Sequence, residues 1–258
     1  MTRLIADTHL HLYPCYDFAA AISALATNLP RHGEGVRAGF FAERRDCHAF
    51  AAIREGSLAL APGPRSFRPL AEPGAVVLLE SGVPAVYLFA GRQIVTSERI
   101  EVLALTVDLD IVEGLPAATV VDAVLEAGGV PVLGWSPGKW WFARGALIRS
   151  LLDGRRRGDI LLGDTALRPA GAPEPSLMRE ARRRGIPVVA GTDPLPFAGE
   201  ERLLGTYATV MEGPFDADRP LESARRLLRA GGPAPAGIRS SWPAAARRWL
   251  RNARGGRA

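Results

Sequence analysis

The sequence predicts an α/β fold with mostly parallel strands, and three observations lead to this prediction. Apolar strand-like runs alternate with amphipathic helical stretches along the 258 residues. The runs from Val130 to Leu133 and from Ile186 to Ala190 are continuously apolar, as expected for parallel strands covered on both faces. Glycines follow two helical stretches, in "EAGG" (126–129) and "RRRG" (182–185), where helices commonly end.

Six strands and eight helices follow from this alternation. The strands are predicted at 3–9, 38–43, 101–107, 130–135, 159–163 and 186–191. The helices are predicted at 17–29, 47–55, 117–127, 143–153, 175–184, 199–211, 220–230 and 243–253. Residues 57–100 interrupt the pattern, because their apolar runs and the turn signals at Gly82 and Gly91 favour β-hairpins. We expect this segment to be an insertion on one rim of a barrel.

The positive charge of the chain is concentrated at its C-terminal end. The net charge is +5, yet the segment from Arg219 to Ala258 holds ten arginines and one acid, so residues 1–218 are net negative. A Pro/Gly-rich stretch at 230–237 precedes a short basic helix. We therefore expect one domain over 1–218 and a basic helical extension over 219–258. Its arginines are expected to face water, so nucleic acid is not an expected partner.

Several classes of protein are not expected from the composition. No run approaches the roughly 18 apolar residues of a membrane span. Residues 1–20 carry His9 and His11 and lack the apolar centre of a signal peptide. The two cysteines are too few for a disulfide framework or a thiolate zinc site. The sequence thus predicts a cytoplasmic protein without a membrane span.

Polar residues gather directly after the predicted strands, where functional side chains of α/β folds collect. His9 and His11 alternate at the end of the first strand and so share one face, while Asp193 follows the last predicted strand. Two imidazoles and a carboxylate suit Zn²⁺, Mn²⁺ or Fe, metals that activate water as a nucleophile. The other polar residues at strand ends are Asp7, Glu43, Arg44, Arg45, Gln93, Asp108, Asp110, Ser136, Asp164 and Thr192.

The order of these segments resembles the PHP (polymerase and histidinol phosphatase) family, metal-dependent phosphoesterases on a distorted seven-stranded barrel. "DTHLH" (7–11) matches the family's opening D-x-H-x-H, and "IPVVAGTDPLP" (186–196) resembles its closing G-S-D-A-H and keeps Asp193. The resemblance spans roughly residues 1 to 212. It implies a PHP-like distorted (β/α) barrel of six or seven mostly parallel strands with a β-hairpin insertion.

Three middle segments carry the same resemblance but replace several of the family's usual ligands. "FFAERRD" (40–46) stands where the family has T-D-H. "GRQIVTSERIEVLAL" (91–105) resembles G-x-E-[IV]-x-T…E-V-H-x-L, and "AVLEAGGVPVLGWSP" (123–137) resembles the A-G-G and A-H-P segment. The replaced positions are Glu43 for Asp, Arg44 for His, Gln93 for Glu, and Leu103, Trp135 and Leu195 for His.

The resemblance implies a metal-dependent hydrolase, phosphoesterase-like, with a reduced metal site. His9, His11 and Asp193 would hold one divalent ion (Zn, Mn or Fe) or none. Glu43 would be a further ligand or a general base, so Glu43 and Asp193 are the candidate catalytic residues.

An anion site is predicted beside the metal site. "GWSPGKWWFARG" (134–145) ends a strand and places Lys139 before a helix, and basic residues at a helix N-terminus favour anions such as phosphate. Arg44 follows the predicted strand at 38–43, and Arg168 follows the one at 159–163. We expect Arg44, Lys139 and Arg168 to bind a small anionic substrate, phosphorylated or carboxylated.

Two other interpretations stay open at the level of the sequence. In the first, the chain is a catalytically inactive PHP-like barrel that binds an anionic ligand or a protein partner. Arg44 would then take the metal position against Asp193, since its charge opposes cation binding. In the second, the chain is an amidohydrolase-type barrel, which also opens with H-x-H and closes with Asp. That barrel needs two further histidines, and no histidine follows His48.

Overall fold

The structure is a computed structural model that describes residues 2–230 and 232–255. Residues 231 and 256–258 of the predicted basic extension lie outside the described residues. Two short 3-10 helices cover Leu29–His32 and Glu200–Leu203. The α-helices of the described ranges are α1 (Phe18–Asn28), α2 (Ala49–Glu55), α3 (Ala117–Glu126), α4 (Ala143–Asp153), α5 (Ser176–Arg183), α6 (Pro220–Ala230) and α7 (Trp242–Gly255).

The strands of the described chain form two sheets, and the predicted α/β fold is confirmed. The larger sheet runs in the order β12 (Ala234–Gly237), β11 (Tyr207–Glu212), β1 (Arg3–Leu10), β2 (Val36–Phe41), β5 (Val83–Phe89), β4 (Ala75–Glu80) and β3 (Arg65–Pro69). The smaller sheet runs in the order β10 (Val188–Gly191), β9 (Leu161–Thr165), β8 (Val130–Gly134), β7 (Glu101–Leu105) and β6 (Gly91–Val95).

Both sheets are mixed, which corrects the prediction of mostly parallel strands. Parallel pairs join β1 to β2, β2 to β5, β8 to β9 and β9 to β10. The other pairs are antiparallel. Short connections link β3, β4 and β5 and link β6 to β7, β8 runs back beside β7 after α3, and β11 pairs antiparallel with both β1 and β12.

The hairpin expected within 57–100 is present as β4 and β5. Ser81 and Gly82 at its turn both have positive φ angles, of 51° and 82°, as a two-residue turn between twisted strands requires. The segment 57–100 is not only an insertion on a rim, because its strands belong to both sheets. Strand β5 pairs with β2 in the larger sheet, and β6 pairs with β7 in the smaller one.

The two sheets meet at two hydrogen-bonded seams. At one seam the backbone N–H of Asp193, after β10, donates to the carbonyl of His9 in β1 over 2.9 Å. At the other, Glu43 after β2 donates to Gly91 over 3.1 Å and accepts from the backbone N–H of Gln93 over 2.8 Å. The ends of β1 and β2 are therefore joined to the smaller sheet on both sides.

The helix predicted over 199–211 is wrong. The 3-10 helix ends at Leu203, Gly205 turns the chain with a φ of 76°, and Tyr207–Glu212 forms β11 antiparallel to β1. Aromatic and β-branched residues such as Tyr207, Thr209 and Val210 suit a strand more than a helix. The four residues Ala234–Gly237 of the predicted Pro/Gly-rich linker add β12 to the edge of the same sheet.

Three large apolar clusters hold the elements of the described chain together, and a small fourth one contains Ala166, Ala190 and Tyr207. Buried residues of α3, α4 and α5 cover the smaller sheet, those of α1 and α2 cover the larger sheet, and α6 packs over a third cluster that includes Phe40 and Phe89. The rings of Phe40 and Phe89 lie 5.0 Å apart between their centroids. Among the described helices, none combines the length and the apolar character that crossing a membrane requires.

Candidate metal centre and the adjoining cavity

Two histidines at the end of β1 and an aspartate just after β10 lie close together. His9 Nε2 lies 3.5 Å from Asp193 Oδ1, and His11 Nε2 lies 3.7 Å from the same oxygen. All three residues are buried, and one ligand atom from each lies within 4.8 Å of the others. The structure thus assembles the three residues that the sequence singled out as metal ligands.

This arrangement fits one divalent ion. Two metal bonds of about 2.1 Å at a tetrahedral angle separate their ligand atoms by about 3.4 Å. The two histidine–aspartate distances, 3.5 and 3.7 Å, are close to that separation. Two imidazoles with one carboxylate are also a donor set that Zn²⁺, Mn²⁺ and Fe accept, with positions left open for water or substrate.

Backbone geometry fixes the position of Asp193. Its φ angle is +50°, which is uncommon for a residue other than glycine. Hydrogen bonds at both the N–H and the carbonyl of Asp193 hold this conformation. The N–H of Asp193 donates to His9, and its carbonyl accepts from Arg248 Nη2 over 3.3 Å. A Cβ at Gly191 would lie 2.3 Å from the backbone nitrogen of His9, so only glycine lets the two segments approach.

Asp7 supports the site but is not one of its ligands. Its carboxylate is fully buried and accepts hydrogen bonds from the backbone N–H groups of His9, Thr192 and Gly205 and from the Thr192 hydroxyl. Burial raises the pKa of Asp7, and these four hydrogen bonds oppose the rise. Asp7 therefore anchors the segment that carries Asp193 to the segment that carries the histidines.

Gln93 of β6 is the next neighbour of the histidines. Its Oε1 lies 2.9 Å from His9 Nε2, within hydrogen-bonding distance. Gln93 stands where the PHP resemblance expects a glutamate, and the structure places it at the site as that resemblance implies. The Nδ1 atoms of His9 and His11 are buried without a hydrogen-bond partner among the described residues. The polar contacts of the two rings are therefore made by their Nε2 atoms, which face Gln93 and Asp193.

Burial sets the ionisation of the cluster. Burial, together with the charges of His9 and Arg44, lowers the pKa of His11 well below its usual value. Burial raises the pKa of Asp193, and the charge of His9 opposes that rise. His11 is therefore neutral at pH 7 and has a lone pair for a metal, as ligation by imidazole requires.

A cavity of about 420 Å³ opens beside the cluster and is lined by His11 and Asp193. Glu101 and Lys139 form an ion pair on its wall, with 2.5 Å between Oε1 and Nζ, and Ser136 donates to Glu101 over 2.8 Å. Burial alone would raise the pKa of Glu101, but the Lys139 charge and these hydrogen bonds hold that pKa below its usual value. Lys139 therefore lines the same cavity as His11 and Asp193.

Arg44 lines the same cavity but does not occupy the metal position. It is exposed, whereas His9 and Asp193 contact each other directly at 3.5 Å. The structure therefore does not show the arrangement that the inactive-barrel interpretation predicted, with Arg44 between those two residues.

Glu43 and Arg168, two other predicted site residues, have their polar atoms committed elsewhere. Glu43 accepts from the Phe50 backbone N–H over 2.9 Å at the start of α2 and lines a separate cavity of about 260 Å³. The buried Arg168 donates from Nε and Nη2 to both oxygens of Asp164, at 2.7 and 2.5 Å, and from Nη1 to the Ala172 carbonyl. Neither residue lines the cavity that contains His11 and Asp193.

Apart from Arg44, the residues that replace the family's histidines are apolar. Leu103 is buried in the core, Trp135 packs beside the cluster formed by α3, α4 and α5, and Leu195 lines the site cavity. The sequence interpretation did not single out Glu101, although "SERIEV" held the signal in the E-V-H-like segment. It also missed Trp249 and Asn252 of α7, which line the cavity and for which the sequence pattern offered no signal.

A larger cavity, of about 690 Å³, lies between the Leu29–His32 helix and the start of α7. Its lining is mainly apolar, and its cationic members include Arg31 and Arg239. It shares none of the three clustered ligands. The cavity of about 420 Å³ is the candidate functional site, because it is lined by His11 and Asp193, two of the residues able to bind a metal.

Comparisons with known proteins inform the fold of the chain. No protein-family model and no curated protein sequence matches the chain. Among solved structures, the chain is similar to PsfC from Pseudomonas syringae PB-5123, with a TM-score of 0.60 and 16% identity over 98% of this chain and 99% of that one.

The chain is also similar to the lesion-specific endonuclease PfuEndoQ from Pyrococcus furiosus, with a TM-score of 0.54 and 12% identity over 92% of this chain and 59% of that one. Endonuclease Q in complex with a 27-mer duplex substrate bearing an abasic lesion gives a TM-score of 0.51 and 12% identity, and the chain covers 60% of its length. PsfC and endonuclease Q are PHP-fold enzymes, so these similarities support a PHP-like fold for this chain.

Proposed function

We propose that the protein is a metal-dependent hydrolase, phosphoesterase-like, with one divalent metal held by His9, His11 and Asp193. The observation that carries this proposal is the buried His-His-Asp cluster, in which both histidines lie 3.5 to 3.7 Å from one Asp193 oxygen, close to the separation of two ligands on one ion. The metal would be Zn, Mn or Fe, and its chemistry would be activation of a water molecule or polarisation of a phosphoryl oxygen.

The proposed framework is a PHP-like barrel of seven strands, formed by β1, β2 and β6 to β10. The two seams support it, because they join β1 to the segment after β10 and β2 to β6 through backbone hydrogen bonds. The structural similarity to PsfC and endonuclease Q supports the same framework. The carboxyl ends of β1 and β2 then lie at one mouth together with Asp193, which is where such barrels carry their sites.

The residues of the cavity have separate roles in this proposal. His11 presents a neutral imidazole, and Gln93 positions His9 through the 2.9 Å contact. Lys139 and Arg44 orient the anionic part of a small substrate, while Glu101 holds the Lys139 ammonium at the wall. Glu43 and Arg168 take no part, because their side chains are bonded outside the cavity.

Metal analysis combined with an esterase assay tests the proposal. Untagged wild type, a His9→Ala/His11→Ala variant and a His48→Ala control would be loaded with Zn²⁺, Mn²⁺ or Fe²⁺, desalted and analysed for metal, then assayed on p-nitrophenyl phosphate. We expect near-stoichiometric metal and metal-dependent hydrolysis in wild type and His48→Ala, and neither in the double variant. A wild type that retains no metal after reconstitution would overturn the proposal.

An inactive barrel that binds an anionic ligand is the second candidate, and one observation favours it. Metal-binding histidines usually donate the second ring N–H to a protein group, but Nδ1 of His9 and His11 has no such partner in the described chain. In this alternative the imidazoles bond to Gln93 and Asp193, and no ion is needed. Anion binding by a protein that stays metal-free after reconstitution would favour this candidate over the hydrolase.

A further inference from the structure

The cavity of about 690 Å³, called the larger cavity below, is separate from the candidate metal centre. None of its lining residues also lines the cavity that contains His11 and Asp193. Its walls come from the Leu29–His32 helix, from residues 236–241 and from the start of α7. Its volume lies within the range of about 300 to 1,000 Å³ that is usual for small-molecule sites.

Backbone hydrogen bonds hold the wall that follows β12. The N–H of Ile238 donates to the Thr206 carbonyl over 3.0 Å, and the N–H of Ser240 donates to the Ala166 carbonyl over 2.9 Å. All four residues line the larger cavity. This side of the cavity is therefore preformed, as small-molecule sites usually are.

Arg248 of α7 lines the larger cavity, but its guanidinium is fully engaged by the protein. It donates through Nε and Nη2 to the Glu200 carboxylate, at 3.0 and 2.6 Å, and through Nη1 to the Ser240 hydroxyl at 2.9 Å. Arg248 is buried, which corrects the expectation that the arginines of the basic extension face water. Because Glu200 balances its charge, Arg248 is not the group that would attract a ligand.

Two other cations of the lining have no acid beside them. Arg31 and Arg239 form no ion pair with a carboxylate of the described chain, and no aspartate or glutamate of that part of the chain lines the larger cavity. Ser241 adds a hydroxyl to the same lining. The larger cavity therefore carries uncompensated positive charge, and guanidinium groups bind carboxylates through paired, charge-assisted hydrogen bonds.

The remaining lining is mainly aliphatic. Its apolar members are Leu203, Ile238, Ala166, Ala236 and Ala244, and within the described ranges no phenylalanine, tyrosine or tryptophan lines the larger cavity. An aliphatic chain would bury its apolar surface against these side chains. An aromatic ring would find no ring on which to stack.

We propose that the larger cavity is a second binding site, which takes a small amphipathic anion with an aliphatic body and a carboxylate head. Arg31 and Arg239 hold the head, and Leu203 and Ile238 contact the body. The inference goes beyond the proposed hydrolase and does not depend on it, because none of the three proposed metal ligands lines this cavity.

Calorimetric titration of the metal-free, full-length protein with decanoate tests the class of ligand. Decanol, which has the chain without the charge, and acetate, which has the charge without the chain, are the comparison ligands. We expect decanoate to bind more tightly than either by on the order of tenfold or more. Equal affinity for decanol overturns the role of the arginines, and equal affinity for acetate overturns the aliphatic body. Absence of decanoate binding below its micelle-forming concentration overturns the site itself.

Two variants of the lining locate the bound anion. Arg31→Gln/Arg239→Gln removes both charges and should weaken decanoate binding on the order of tenfold or more, while the affinity for decanol stays unchanged. Ala244→Leu enlarges a partly exposed helical residue of the lining and should block decanoate by filling the cavity. The matched controls Arg183→Gln and Ala246→Leu alter exposed residues outside the lining and should bind as wild type does.

Wild-type affinity for decanoate in either of these lining variants overturns the proposal. Lys139→Gln, which alters the wall of the cavity at the metal centre, should bind decanoate as wild type does. Weaker binding in Lys139→Gln together with unchanged binding in the lining variants would place the anion at the metal centre instead. Thermal unfolding identifies any variant that fails to fold, and the arginine and alanine variants test the same cavity independently of each other.

Discussion

Asp7 accepts two hydrogen bonds from Thr192, one from its backbone N–H at 2.8 Å and one from its hydroxyl at 2.5 Å, across 185 positions of sequence. Thr192 directly precedes Asp193, and His9 follows Asp7 by two residues. The proposed metal ligands are therefore held at their distance by an acid that is not itself a ligand. The geometry of the cluster therefore depends on the contact between Asp7 and Thr192 as well as on the ligands.

Replacement of Asp7 should destabilise the whole protein. Asp7→Ala leaves the N–H groups of His9, Thr192 and Gly205 without their acceptor in a buried place, and we expect a loss of about 3 kcal/mol or more in the free energy of unfolding. Asp7→Asn keeps one acceptor oxygen and should lose less. Urea denaturation measures both, with the exposed Asp110→Ala as control. A loss as small as that of the control would contradict the anchoring role.

Gly191→Ala should disrupt the junction between β10 and β1. The new Cβ would lie 2.3 Å from the His9 nitrogen and 2.6 Å from the His9 Cβ, and backbone atoms have little room to yield. We expect a loss of about 3 kcal/mol or more and weaker metal retention, because His9 must move. Gly63→Ala is the matched control, since its nearest contact would be 3.7 Å away. Unchanged stability of Gly191→Ala would show that the segments are not packed this closely.

Much of this site was predictable because local pattern and strand geometry determine it. Alternation along β1 placed His9 and His11 on one face, and the strand before Asp193 brought it to the same edge. Residues that replace a usual ligand, such as Gln93, could also be located near the site from the sequence, because the order of the segments determines which strand carries them.

The rest depended on tertiary contacts that a local pattern does not contain. Whether Arg168 meets substrate or Asp164 is decided by the fold around it, and in the structure it is bonded to Asp164. The contact of Trp249 with the cavity required knowing where α7 packs. Tyr207–Glu212 became a strand because β1 offered an edge, against the helical interpretation of 199–211.

Arg168→Met should reduce stability without weakening phosphate binding. The variant leaves the buried Asp164 carboxylate without its guanidinium partner, a change that typically costs 3–5 kcal/mol. Tyr207 still donates to Asp164 over 2.8 Å, which places the expected loss at the lower end, about 3 kcal/mol. Thermal unfolding and phosphate titration check the two parts, with exposed Arg183→Met as the control for removing a charge. Weaker phosphate binding at unchanged stability would restore Arg168 to the substrate site.

Glu43 should make the protein less stable as the pH rises from 5 to 8. Burial raises the pKa of Glu43 from its usual 4.5 to about 7, while hydrogen bonding from Phe50 and the charge of Arg92 oppose the rise. The unfolded chain loses this proton near pH 4.5 and the folded chain only near pH 7. The free energy of unfolding therefore decreases as the pH rises through that window and is lowered by a constant amount above it.

The matched comparison is Glu43→Gln, whose amide oxygen can still accept from the Phe50 N–H and whose side chain does not titrate. We expect the variant to gain about 2 kcal/mol relative to wild type between pH 5 and pH 8, measured by urea denaturation at each pH. The exposed Glu55→Gln should show no such gain. Other buried acids such as Asp7 and Asp193 titrate alike in both proteins, so the difference in unfolding free energy between wild type and Glu43→Gln reports on Glu43. A difference that does not change with pH would mean that the Glu43 carboxyl is already ionised in the folded protein at pH 5.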